Sequence, residues 1–209
     1  MTPREPVNTY THAAGAVLAL AGTALLLYRV WPNPKLVAAA AVFGATMFMM
    51  YAASASYHAL RLGKRGLAWL RRLDHAAIFL FIAGSYTPVL LTMLSGAARW
   101  SWLGLVWGLA LLGISLKVWK MSAPRWLYTL SYLGFGWLAV FLVPRLQMPA
   151  SAFAWMVASG AFYSLGALVY GLKKPNLRFI GFHELWHLFV LGGSATMYAA
   201  VWLLLMRNV

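Results

Sequence analysis

The chain has 209 residues, 63% of them hydrophobic, and a mean hydropathy of +0.73, far above the roughly half-apolar makeup of soluble domains. This excludes a soluble enzyme and indicates an integral membrane protein. Seventeen lysines and arginines oppose three acids, Glu5, Asp74 and Glu184, and cysteine is absent; disulfides and thiolate chemistry are therefore excluded, and a metal would need nitrogen or oxygen ligands.

A membrane-crossing helix needs about 20 apolar residues, and seven segments qualify: 11–31, 36–60, 74–95, 100–119, 126–143, 151–171 and 183–206. The runs are continuously apolar, which a membrane barrel with a polar lumen could not tolerate. The prediction is an all-α bundle of seven transmembrane helices forming one domain over residues 1–209, its first apolar segment retained as a helix rather than removed as a signal peptide. Twelve of the 17 basic residues fall on the side that carries the N-terminus, so the positive-inside rule puts the N-terminus in the cytoplasm and the C-terminus outside. This distribution explains the charge of +14 by topology and by attraction to anionic lipid headgroups, not by nucleic-acid binding.

Taken in order, residues 1–10 read as a short polar lead, with His12 a solvated or capping group at the mouth of the first helix. Glu5 lies outside the predicted spans. RVWPNPK at 29–35 reads as a tight turn, because its prolines cannot sit within either flanking helix. The second helix ends with Ser54 and His58, four residues apart and so on one face. The third opens with Asp74; His75 is rotated about 100° from it and faces elsewhere. Pro88 follows Gly84, Ser85 and Thr87, so a kink is expected there, with hydroxyls satisfying the freed carbonyls. Helices four to six are organisational. Lys117 and Lys120 read as snorkelling cations, Gly134 and Gly136 or Gly160 and Gly166 as sites of close helix approach, and Met47 to Met50 as core filling. The last helix opens with HELWH, which sets His183 and His187 one turn apart on one face, while Glu184 suits the positive end of the helix dipole.

With alternating helix directions, Ser54, His58, Asp74, His183 and His187 all arrive at one membrane depth. An ionisable group in hydrocarbon costs a few kcal/mol or more, so their gathering points to a site. Three neutral imidazoles with an open fourth position describe a catalytic zinc centre in which a water is acidified. Asp74 would accept a proton from that water or orient it, and Ser54 would donate a hydrogen bond to the carboxylate or to a developing oxyanion.

These stretches, YTHAAGAVLAL at 10–20, SASYH at 54–58, LDHAAIFLFIAGSYTP at 73–88 and HELWHLFVLG at 183–192, resemble the haemolysin III family, related to the progestin and adipoQ receptors and, more distantly, to the alkaline ceramidases. The resemblance implies a seven-helix bundle with a cytoplasmic N-terminus, zinc held by His58, His183 and His187, and Asp74 near the metal water. It also associates the chain with membrane lipid homeostasis in a bacterial inner membrane. Hydrolysis of a lipid amide or ester is the expected activity, with membrane lipids, and a fatty acid within the bundle, as partners. The alternative is a sensor, regulator or receptor in which zinc is a structural clamp. HELWH also fits an intramembrane metalloprotease motif, which here lies in the last helix. No polar stripe of the kind a channel lining needs is present, which argues against pore formation.

Overall fold

The computed structural model describes residues 2–119, 124–178 and 180–209. It consists of α1 (Pro6–Val30), α2 (Pro34–Ala59), α3 (Lys64–Met93), α4 (Gly96–Trp119), α5 (Arg125–Trp137), α6 (Ala150–Leu172) and α7 (Phe182–Met206), with no strand among the described residues. Two short 3-10 turns, Leu138–Phe141 and Val143–Arg145, extend α5. Each of the seven helical spans is long and apolar enough to cross a membrane, and the chain is an integral membrane protein.

Three boundaries differ most from the sequence reading. α1 starts at Pro6, with proline in the first turn, where its missing N–H costs nothing; the polar lead is therefore mostly helix. α3 starts at Lys64, because its basic and leucine-rich opening favours helix without needing burial. α5 ends early: Pro144 lacks the N–H that an α-helix would return to residue 140, and the chain completes the span in 3-10 turns.

Sequence neighbours pack side by side, α1 on α2, α2 on α3, α3 on α4 and α6 on α7, while α7 also meets α1 and α3. α5 touches α3 and α6 only lightly. Backbones approach closely where a glycine faces a side chain on the neighbouring helix: Gly15 on Tyr51, Gly44 on Thr23, Gly84 on Thr46 and Gly193 on Tyr163. Such small-residue contacts drive association where lipid removes the hydrophobic difference. Of the glycines singled out from sequence, Gly166 does abut Phe189 and Trp186, whereas Gly134 and Gly136 face open space. Hydroxyls add cross-links between helices, Tyr198 to the Gly22 carbonyl at 2.9 Å and Ser159 to that of Gly193 at 2.8 Å.

α3 runs through Pro88 as a helix. The Ser85 and Thr87 hydroxyls donate to the carbonyls of Phe81 and Ala83, not to that of Gly84, which the proline leaves without its usual N–H partner. Met47 and Met50 are core residues but Met49 is exposed. Lys117 is not a snorkeller: it is buried, its ammonium 3.3 Å from the centroid of the Tyr128 ring. Lys120 lies outside the described residues.

The closest approach of α2 and α3 makes a test. A side chain at Gly84 would run into Thr46, whose hydroxyl is tied to the carbonyls of Val42 and Phe43 at 2.8 and 3.0 Å and cannot swing away freely. Gly84→Val is expected to cost about 1–3 kcal/mol through overpacking, seen as a lower thermal midpoint in detergent. An unchanged midpoint would contradict the packing.

Candidate metal centre

His58 reaches the site from the last turn of α2, His183 and His187 from the first turns of α7. The i, i+4 spacing within HELWH keeps the α7 pair on one face. One potential ligand atom from each ring lies within 4.8 Å of the others, an arrangement that could hold a metal ion. The rings meet edge to face, with centroids 5.0 Å apart for His58–His183, 4.8 Å for His58–His187 and 5.0 Å for His183–His187.

The protonation chemistry suits a ligand set. His58 Nδ1 lies 2.7 Å from Oε2 of Glu5, while its Nε2 is buried with no hydrogen-bond partner, as is Nδ1 of His187. A buried ring nitrogen left unpaired is costly; a cation at the centre of the three would remove that cost. A carboxylate on the far nitrogen of a ligating histidine fixes its tautomer and raises its basicity.

Glu5, set aside in the sequence reading because it precedes the spans, therefore belongs to the centre. It is held from several sides. Arg4 pairs with it at 2.6 Å and Asn8 donates to it at 3.0 Å, while the backbone N–H of Glu5 donates to the His58 carbonyl at 3.0 Å. Arg4 also ties this strap to α2 through the Tyr57 carbonyl at 2.7 Å and lies over the Tyr57 ring. Burial would raise the Glu5 carboxyl, but the Asn8 hydrogen bond, the His58 ring and the Arg4 guanidinium outweigh it and hold the group below its ordinary value. The available signal was Pro6: a proline marks the first helical turn, which puts residue 5 at the cap and at the depth of His58.

His12 also departs from expectation. It is 4% exposed, not solvated, and its ring stacks on His187 at 3.8 Å with neither nitrogen hydrogen-bonded. Glu184 lies in the first turn of α7, where it suits the helix dipole, and it also caps the helix, accepting from the Gly181 N–H at 2.9 Å. His75 turns away to Tyr132, with Nδ1 3.2 Å from the phenol oxygen.

A cavity of about 440 Å³ adjoins the histidines. His12, Ser54, Asp74, His183 and His187 are among its lining residues, and apolar residues such as Ile82, Val143 and Met156 supply most of the remaining surface. Ser54 is buried and its hydroxyl lies close enough to the Asp74 carboxyl to partner it. Four of the five residues singled out in sequence, Ser54, Asp74, His183 and His187, thus line one cavity, while His58 meets it only through its contacts with His183 and His187.

The family model described as haemolysin-III related matches residues 1–198. The chain belongs to the haemolysin III family. The Hemolysin-3 protein of Bacillus cereus is 35% identical over 201 residues, covering 94% of this chain and 90% of that protein. The Hemolysin-3 homolog of Bacillus subtilis (strain 168) is 34% identical over 201 residues, covering 94% and 92%. An adiponectin receptor protein of Drosophila melanogaster is 26% identical over 227 residues, covering 94% of this chain and 50% of that one. In this haemolysin III protein the shared length includes both histidine-bearing ends, so the candidate centre lies within the family region.

The carboxylate behind His58 predicts a measurable loss. Glu5→Gln should keep the protein folded yet weaken metal binding about 10–100-fold in competition with a chelator. Unchanged affinity would show that the Glu5–His58 contact does not support a ligand.

Proposed function

We propose that this protein is a zinc-dependent hydrolase of a lipid amide or ester, acting at the depth of the inner headgroups in a bacterial plasma (inner) membrane. The observation that carries the reading is the meeting of unpartnered, buried imidazole nitrogens with Asp74 and Ser54 at the polar end of an otherwise apolar cavity. Imidazole nitrogens without thiolates or clustered carboxylates suit zinc. His58, His183 and His187 would hold it, and the ion would supply Lewis acidity and lower the pKa of a nearby water toward neutrality.

The chain's own groups account for the remaining steps. The apolar length of the cavity takes the acyl tail and excludes water from it. Asp74, beside that end, accepts a proton as water adds to the acyl carbon, then returns it to the leaving nitrogen or oxygen as the bond to carbon breaks. The Ser54 hydroxyl orients the carboxyl or donates to the oxygen that gains charge. A free fatty acid and an amine or alcohol result. The excess of basic residues on the side of the N-terminus supports a cytoplasmic location for this end.

One observation favours a second reading, a structural clamp in a regulator or sensor: α2 and α7 make little other contact, so an ion shared by His58 and the α7 pair would join them. Asp74→Asn separates the two. The hydrolase reading expects metal content to be retained while fatty-acid release from a lipid pool falls by about 100-fold or more. A clamp expects the change to be silent. A zinc-loaded wild-type protein that releases no fatty acid, with His58→Ala cells indistinguishable in lipid composition, would remove the hydrolase.

A further inference from the structure

Three cations lie near Asp74, two of them on the cavity wall. Arg71, one turn before Asp74 on α3, and Arg125, at the start of α5, line the cavity. Lys117, at the end of α4, is 2% exposed, and its charge and that of Arg71 both act on Asp74. Aromatic rings hold two of them in place: Lys117 over Tyr128, and Arg125 4.6 Å from the Tyr170 centroid and 5.5 Å from that of Phe182.

The anions to balance them are missing. The whole sequence has three acids. Glu5 is occupied by Arg4, Asn8 and His58, and Glu184 caps α7. Asp74 alone remains, and among the described residues neither Lys117, Arg71 nor Arg125 has an ion pair within 4.0 Å. Topology explains exposed cations such as Lys64, Arg65, Lys173 and Lys174. It does not explain Lys117, a buried ammonium whose charge adds to that of the exposed Arg71, since a desolvated charge is retained only where something compensates it.

We infer that Arg71 and Arg125, with the charge of the buried Lys117 added to theirs, form the headgroup site of the cavity and that its ligand is an amphiphile bearing a phosphate. One carboxylate against three cations leaves an excess of two positive charges, matching a phosphate monoester. Two guanidiniums offer planar, forked donors to its oxygens, while the ammonium supplies a compact charge. The apolar remainder of the cavity receives the tail. The inference deepens the hydrolase reading by naming its substrate class, but headgroup binding requires no metal.

The test is lipid binding by the purified full-length protein in neutral detergent, counted by native mass spectrometry. The probes are mono-oleoyl phosphatidic acid, mono-oleoylglycerol and oleate, with inorganic phosphate as competitor. The phosphate lipid should bind about tenfold or more tightly than mono-oleoylglycerol and more tightly than oleate. Lys117→Gln, Arg71→Gln and Arg125→Gln should each remove most of that preference, while Lys64→Gln with Arg65→Gln leaves it intact. The two arginine variants keep the test valid if Lys117→Gln fails to fold. Chelator-treated protein should keep the preference, so a protein that prefers the phosphate lipid but hydrolyses nothing sinks the hydrolase and not the headgroup site. Equal binding of the phosphate lipid and mono-oleoylglycerol, a preference for oleate, or equal loss in the Lys64/Arg65 control overturns the inference. Competition by inorganic phosphate as strong as by the lipid overturns the lipid assignment.

Discussion

A nitrogen or oxygen lone pair removed from water and given no partner costs roughly 1–3 kcal/mol, and a membrane interior offers no solvent to repair the loss. This constraint organises the chain. Most of its length avoids the problem by being apolar helix, and its interhelical hydroxyls bond back to carbonyls. Among the described residues, buried ring nitrogens are left without partners only at the end where α1, α2 and α7 meet: both of His12, one of His58 and one of His187. A position where the surroundings already hold the rings, yet leave their lone pairs idle, is what a bound cation would exploit.

The helical frame serves that end of the bundle. Glycines bring α1, α2 and α3 close enough to fix relative heights, so that residues 125 positions apart, His58 and His183, meet. The Arg4–Glu5 strap closes over the end of α2 and braces His58 from outside. Where packing is loose, beside α5, the cavity appears instead. Close packing and open volume thus divide the molecule into a tightly packed part that carries the histidines and a looser wall beside the cavity.

Much of this was legible in the sequence because it rests on period and composition. Apolar runs of helix length gave seven spans, and i, i+4 spacing put His183 with His187 and Ser54 with His58 on common faces. Alternating helix direction then brought Asp74 to the same depth. What escaped depended on ends and on tertiary packing. Glu5 was discounted because hydropathy windows do not see a cap residue, although Pro6 marks the helix start. His12 reads alone as an interfacial histidine; only the α1–α7 contact stacks it on His187. Lys117 has the position of a snorkeller, and its burial against Tyr128 depends on a contact between the end of α4 and the start of α5, which no local pattern encodes. Likewise Gly134 and Gly136 look like packing glycines but face open space, because α5 stands apart.

The central claim is that imidazoles from two distant helices share one ion. Zinc K-edge X-ray absorption on the purified protein reads this directly. The account predicts three imidazole nitrogens at about 2.0–2.1 Å with one further light atom, the imidazole signal losing one ring in His58→Ala. A protein that binds no metal, or whose metal lacks imidazole ligands, would contradict it.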